Sequence, residues 1–377
     1  MSTAEIEKEL RDALGGLLRQ RCDVETVSAL ADGPETWDRG LWNELAAMGV
    51  PGLAVPEDQG GEGAGFALAA AAQEELGRRL APVPTVSVLA AQAALAAADG
   101  EEAAVWLRRT ATGEVRAALA VGRTADGWTP AEDVLAVSGT NGWTLDGTIP
   151  TVADAQAAGL LLVAAETGGG PALFAVDAEA TGSTVAESGG RCEVTPVQGV
   201  DPTRSLGAVH LRACPGRLLA GPDRFAEVLR AAERAGLVML AADAVGVAAE
   251  ALDLAVEHAG TRRQFGRTIG SFQAISHRCA DMLVAVESAR ALVAAAAGAL
   301  DAPDPDTGTA VHLAAAEALE AAVVVTQGCV QVHGGMGFTW EHPAHRYLRR
   351  AKAAEALIAL PDRLRERAAV GLLEAAA

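Results

Sequence analysis

The sequence predicts an α+β chain built of a helical part, a β part and a second helical part, in that order. Three observations predict this. Apolar residues recur at helical spacing up to about Leu107. Short β-branched or alternating runs, separated by Gly, Asp and Pro clusters, fill the stretch from about Arg116 to Cys214. Long Ala/Leu/Val-rich stretches then return from Pro222. The expected boundaries are 1–114 for an N-terminal helical domain, 115–218 for a middle β domain of sandwich or barrel type, and 219–377 for a C-terminal helical bundle.

In the first part Leu10, Leu14, Leu17 and Leu18 share a helix face, as do Leu41, Leu45 and Met48, with Trp42 beside them. Pro51 to Gly61, with two prolines and three glycines, reads as a loop, and a helix follows from Phe66 to Leu80. Strand candidates in the middle part are Trp143–Leu145, Leu160–Val163, Ala172–Val176 and Ala208–Leu211. The last part predicts helices over Pro222–Ala259, Phe272–Leu300 and Val311–Val332, an interhelical loop at Asp301–Asp306, and a final Arg-rich then Ala-rich helix over Pro361–Ala377.

Composition narrows the function. Half of the 377 residues are apolar, and scarce aromatics with abundant Ala favour closely packed helices. A formal charge of −19 argues against nucleic acid or an anionic membrane as partner. The five cysteines are scattered, without metal-ligand or disulfide spacing, and no metal site is expected. The first residues lack a basic segment followed by an apolar one, and the apolar runs read as shorter and less hydrophobic than a membrane span. The expected location is therefore cytoplasmic.

Two blocks carry chemistry. Thr261-Arg262-Arg263-Gln264-Phe265-Gly266 leads into Ser271-Phe272-Gln273-Ala274-Ile275, and Gln331-Val332-His333-Gly334-Gly335-Met336-Gly337-Phe338 ends a later apolar helix. Read by themselves they are a basic, Gly-ended helix exit and a glycine-rich helix cap. His333, His342 and His345 read as packed or surface histidines, and Glu74-Glu75 as a solvated pair. Gly60 to Gly65 superficially resembles a dinucleotide loop but follows no strand.

In order and spacing the two blocks resemble the acyl-CoA dehydrogenase family. The resemblance implies that family's fold, with an N-terminal helical domain, a β-sandwich or barrel and a C-terminal four-helix bundle. It implies FAD as cofactor, an acyl-CoA or other acyl thioester as substrate, and an acceptor such as electron-transfer flavoprotein. It also implies a dimeric or tetrameric assembly, since the family's flavin sits between subunits. By position, Arg262 matches the contact to the flavin pyrophosphate, Phe265 packs near FAD, Gln273 lies at the flavin site, and Gln331, Gly334 and Gly335 lie along the cofactor of a neighbouring subunit.

Both positions where the family keeps its catalytic glutamate differ here, one being Ile358 and the other Gly236. Glu233, one turn from Gly236, is the first candidate base in this chain, with Asp243 a weaker one. In the middle domain Thr151 stands for the family's Trp and Ala153 for the Thr that hydrogen-bonds the flavin ring. The phrases Asp201 to Arg204 and Gly337 to His342 are similar to an actinobacterial branch, including enzymes of steroid side chains, that forms mixed tetramers of paralogous subunits. The leading expectation is a flavin-dependent desaturase of thioesters, or its subunit without the base. A structural partner that keeps only the fold, and a flavoenzyme of a specialised pathway with altered chemistry, remain open.

Overall fold

The computed structural model describes residues 2–31, 33, 36–140, 142–179, 190–302 and 306–375. Eleven α-helices are seen among them: α1 (Thr3–Arg21), α2 (Val24–Ala31), α3 (Arg39–Ala47), α4 (Gly65–Arg78), α5 (Thr85–Ala98), α6 (Glu101–Ala111), α7 (Pro222–Thr261), α8 (Gln273–Asp301), α9 (Thr307–His333), α10 (Ala344–Ala354) and α11 (Pro361–Ala375). Between α6 and α7 lie β1 (Ala117–Ala120), β2 (Gly122–Arg123), β3 (Trp128–Thr129), β4 (Ala131–Gly139), β5 (Gly142–Ala153), β6 (Leu160–Thr167), β7 (Gly170–Asp177), β8 (Arg191–Pro196) and β9 (Leu206–Ala220). A last pair, β10 (Arg263–Gln264) and β11 (Arg267–Thr268), separates α7 from α8. The expected order of helices, strands and helices is observed. Pro303–Pro305 of the expected interhelical loop fall outside the described residues.

Packing divides the chain into two compact units. One comprises Met1–Ala29, Phe66–Ala81 and Leu237–Ala377; the other comprises Leu30–Gly65 and Pro82–Gly236.

In the first unit, Ser2 and Glu5 open α1 with a reciprocal capping box. From Leu237 to Ala251 every residue of α7 is buried, so this stretch is a core helix rather than an amphipathic one. It meets α4 at backbone distance. A Cβ on Gly246 would lie 2.0 Å from the Glu74 carbonyl oxygen, and one on Gly77 would lie 2.3 Å from that of Asp243. The buried Asp243 accepts from Arg350 Nη2 (2.8 Å) and Nε (3.0 Å) and from the Gln73 amide (3.1 Å), tying α7, α10 and α4 together. Glu74 is not on a solvated face as its sequence context suggested. It is 6% exposed and paired with Arg11 (3.0 Å) and Arg290 (2.9 Å).

Three helices correct the reading of the apolar runs: α7, α8 and α9 are long and apolar enough, by length and composition, to cross a membrane. The most apolar window of α7 is wholly buried inside the protein, that of α9 72% and that of α8 only 28%.

In the second unit, strand pairing runs β6–β4–β5–β9–β7 and returns from β7 to β6, a closed ring with β1 on β6 and β8 on β9. One face of its strands buries Val134, Leu145, Phe174 and Val209 in a common core. The other face packs Leu119, Leu160 and Leu162 against Leu95, Trp106 and Leu107 of the helices, and against Phe225 and Val228 at the start of α7. These two cores explain why β6 reads as an unbroken apolar run rather than an alternating one: it is covered on both sides.

Candidate functional site

The Arg262 block folds into a small hairpin. β10 and β11 pair antiparallel through a two-residue turn, Phe265 (φ 51°) and Gly266 (φ 81°). Left-handed geometry at both turn positions matches the right-handed twist of the strands. Arg263 Nη2 braces the turn by donating to the Gly266 carbonyl (2.9 Å). Phe265 is 92% exposed; among the described residues its ring contact is with Phe272, T-shaped, with centroids 6.1 Å apart. The Arg267 guanidinium also lies over the Phe272 ring, 4.0 Å from its centre. Gln273 follows as the exposed first residue of α8, and Arg262 is exposed just beyond the end of α7.

The second block closes α9. Gln331 is exposed on the last turn, and Gly334 caps the helix at φ 63° and ψ −139°, a conformation close to the region open only to glycine. Gly335 is different: its φ is ordinary and a Cβ there would meet nothing within 4 Å. The chain itself therefore does not require glycine at 335, whereas close approach of a bound group to the backbone would.

Three histidines join the blocks. His258, one turn before Arg262, stacks on His333 with centroids 4.4 Å apart, and His333 packs on His342 at 4.2 Å. The His333 Nδ1 lies 2.8 Å from the Cys329 carbonyl oxygen, which can only accept, so Nδ1 is the donor in this contact. Burial, then the neighbouring His333 and Arg262, hold His258 below the usual histidine pKa; burial, then His333, His258 and His345, do the same to His342. Among the described residues no cluster of His, Cys, Asp and Glu could hold a metal ion. The sequence presented His333 and His342 as bland packed or surface residues and gave no sign of His258, because rings that meet from three separate elements leave no local pattern.

An exposed guanidinium, an exposed aromatic ring on a braced turn, two carboxamides and an open glycine backbone suit a ligand with oxyanions and a flat ring system. Comparison with known proteins shows the family. Residues 4–114 match the family model described as acyl-CoA dehydrogenase, N-terminal domain, and residues 231–357 match that of the C-terminal domain. Acyl-CoA dehydrogenase IpdE2 of Mycobacterium tuberculosis is 32% identical over 366 residues, covering 96% of this chain and 95% of that protein. The chain belongs to the acyl-CoA dehydrogenase family. FadE34 of the same organism is 36% identical over 84% of this chain, which spans 40% of that longer protein. Among solved structures, the ChsE4-ChsE5 complex from Mycobacterium tuberculosis aligns with a TM-score of 0.85 at 30% identity, over 99% of each chain. A variant of the Tcur3481-Tcur3483 steroid ACAD aligns at 0.86 and 30%, over 100% of this chain and 99% of that one.

By sequence the family's catalytic glutamate is expected at Ile358 or Gly236, and the structure shows the surroundings of both residues. Ile358 is 1% exposed in the turn between α10 and α11, so its side chain belongs to the packing of the first unit. Gly236 is buried within α7. Glu233, one turn before it, is 6% exposed, and its Oε2 accepts from the Trp128 backbone N–H at the start of β3 (2.9 Å). Asp243 is committed to Arg350 and Gln73. In β5, Thr151 and Ala153 are both half-buried.

Proposed function

We propose that the chain is the base-free, flavin-holding subunit of a heteromeric acyl-CoA dehydrogenase that places an α,β double bond in an acyl thioester. The observation that carries this reading is the contrast within one chain: both flavin-side blocks are exposed and shaped, while Ile358 is sealed into the core. Bound FAD would accept the β-hydride of the acyl chain. Arg262 would hold a pyrophosphate oxygen pair, a task suited to a planar fork of N–H donors. Phe265 would cover an apolar face of the cofactor, Gln273 and Gln331 would offer amides to it, and Gly334 and Gly335 would let backbone approach. Removal of the α-proton needs a carboxylate that faces the substrate. In this reading a paralogous partner supplies it, as the heteromeric naming of the ChsE4-ChsE5 relative suggests. The steroid ACAD relative supports a bulky acyl group on CoA as substrate; in this reading the acceptor is an electron-transfer flavoprotein.

Glu233 is the base in the second reading, favoured by its buried carboxylate one turn from Gly236. Flavin-to-chain stoichiometry and acyl-CoA-dependent dye reduction separate the two, measured on the chain alone, with a base-bearing paralogue, and as Glu233→Gln. Turnover only with the paralogue, unaffected in Glu233→Gln, supports the first reading. Turnover by the chain alone, lost in Glu233→Gln, supports the second. Absence of flavin from the chain and from every co-expressed assembly sinks both.

A further inference from the structure

α8 presents an apolar face that no described residue covers. Ala280, Val284, Ala291, Ala295 and Gly298 recur at helical spacing along one side of it, and all are exposed. Leu283 flanks this line; it is 49% exposed and Val284 65%. A Cβ on Gly298 would meet nothing within 4 Å. Between Ala280 and Gly298 the exposed charged residues are Asp281 and Glu287, and Glu287 is paired within the helix to Arg290. On α1, by contrast, Glu5, Lys8, Glu9, Asp12 and Arg19 stand on the exposed side. In a chain of formal charge −19, a face so poor in charge is one on which two acidic molecules can meet.

The two halves of the face complement each other. Branched side chains, Leu283 and Val284, stand in the N-terminal half. The exposed positions of the C-terminal half, Ala291, Ala294, Ala295 and Gly298, offer only methyl groups and backbone. Antiparallel pairing of the helix with itself, about a twofold axis near its middle, sets Leu283 and Val284 of one copy against Ala294 and Ala295 of the other. Ala280 then meets Gly298. Large side chains fill the space that small ones leave, and the backbones can close to the ~8–10 Å of packed helices. Parallel pairing would put methyl on methyl and leave a gap.

The size of the face agrees. The 29 residues of α8 span roughly 43 Å, and a helix is about 10–12 Å wide with its side chains. A pair of such faces covers on the order of 900–1,000 Å² in projection and more as accessible surface, which reaches the ~1,000 Å² of a specific interface.

We infer that α8 is the docking surface for a second copy of this chain, packed antiparallel about a twofold axis. Such a contact is self-complementary, with the same patch on both copies. It does not depend on the flavin reading, and it leaves a paralogous partner to bind through other surfaces.

Sedimentation equilibrium of the full chain, alone and co-purified with a base-bearing paralogue, tests this. Two copies of this chain per particle are expected. Val284→Glu is harmless on an exposed position of a single copy but buries two unpaired carboxylates in the pair. It should weaken pairing about a hundredfold or more. Adding Ala294→Lys sets an ammonium against each carboxylate in the antiparallel register and should restore most of the pairing. In a Cys279→Ser background, Ser288→Cys lies beside the axis. Oxidation with glutathione disulfide should join two copies there, seen on a non-reducing gel whether or not the Val284 variant folds. One copy of this chain per particle overturns the proposal. So does pairing that withstands Val284→Glu, or absence of the Ser288 cross-link. Loss of the paralogue in Val284→Glu, with the two copies still joined, assigns the face to the paralogue and overturns it as well.

Discussion

Phe265→Asn separates a residue kept for the fold from one kept for a ligand. In the chain alone Phe265 sits at φ 51°, where a side chain with a Cβ costs roughly 1–2 kcal/mol. Asn takes that conformation more readily and is favoured at the first position of such a turn. Against this relief stands one edge-on ring contact with Phe272. Aromatic pairs contribute about 0.5–1.5 kcal/mol, and one on a ring 92% exposed belongs at the low end. The net effect on the flavin-free protein is thus between zero and about 1 kcal/mol of stabilisation, by urea unfolding followed by circular dichroism. Covering a Phe ring fully contributes about 1.5–3 kcal/mol. If cofactor or partner covers Phe265, the same variant should hold flavin or partner roughly ten- to a hundredfold less tightly. A destabilisation above ~1 kcal/mol without flavin, or unchanged flavin retention in the assembled protein, would refute the reasoning.

Gly246→Ala should lose at least ~2 kcal/mol, because overpacking against the Glu74 carbonyl outweighs the ~1 kcal/mol that Ala gains over Gly in a helix; an unchanged guanidinium midpoint would show that α4 and α7 can part freely. Asp243→Ala takes two hydrogen bonds and the paired charge from a buried guanidinium and should cost about 3–5 kcal/mol, whereas Asp243→Leu with Arg350→Met should recover most of it. Equal losses in the single and double variants would deny that Arg350 depends on Asp243. For His258 and His342, held below their ordinary pKa when folded, the unfolded chain takes protons that the native chain refuses. Their contribution to stability should therefore fall as pH drops below about 6.5, with a shallower slope in His258→Asn; identical slopes in the two proteins would count against the stack as the source.

Much of the fold was legible because local chemistry and tertiary packing agree. The Gly and Pro clusters that end each strand run, and the unbroken Ala/Leu/Val stretches, mark β5, β6, β7, β9, α7, α8 and α9 close to where they fall. The Arg262 and Gln331 blocks were legible as motifs, since each is a contiguous run of a few residues, with Gly266 and Gly334 at the positive φ of a turn and a helix cap. What escaped depends on long-range partners. Glu74 looked solvated because Arg11 and Arg290 lie far from it in sequence. Asp243 looked like a spare acid until Arg350 was seen on it. The membrane-length character of α7 was underread because Ala dilutes its hydrophobicity only slightly over forty residues.

The first compact unit is assembled from three separated stretches, and synthesis imposes an order on them. Residues up to Ala29 leave the ribosome long before Leu237, the start of the stretch that completes their unit. At ~5–20 residues per second, α1 waits roughly 10–40 s for the third stretch of its unit to begin. During that interval the unit that finally buries Leu14 and Leu18 lacks its third stretch. The incomplete unit is therefore the expected point of chaperone demand during synthesis. Yield in a heterologous host should respond to translation speed and trigger-type chaperone supply more than to changes in the strand ring, whose pieces emerge consecutively.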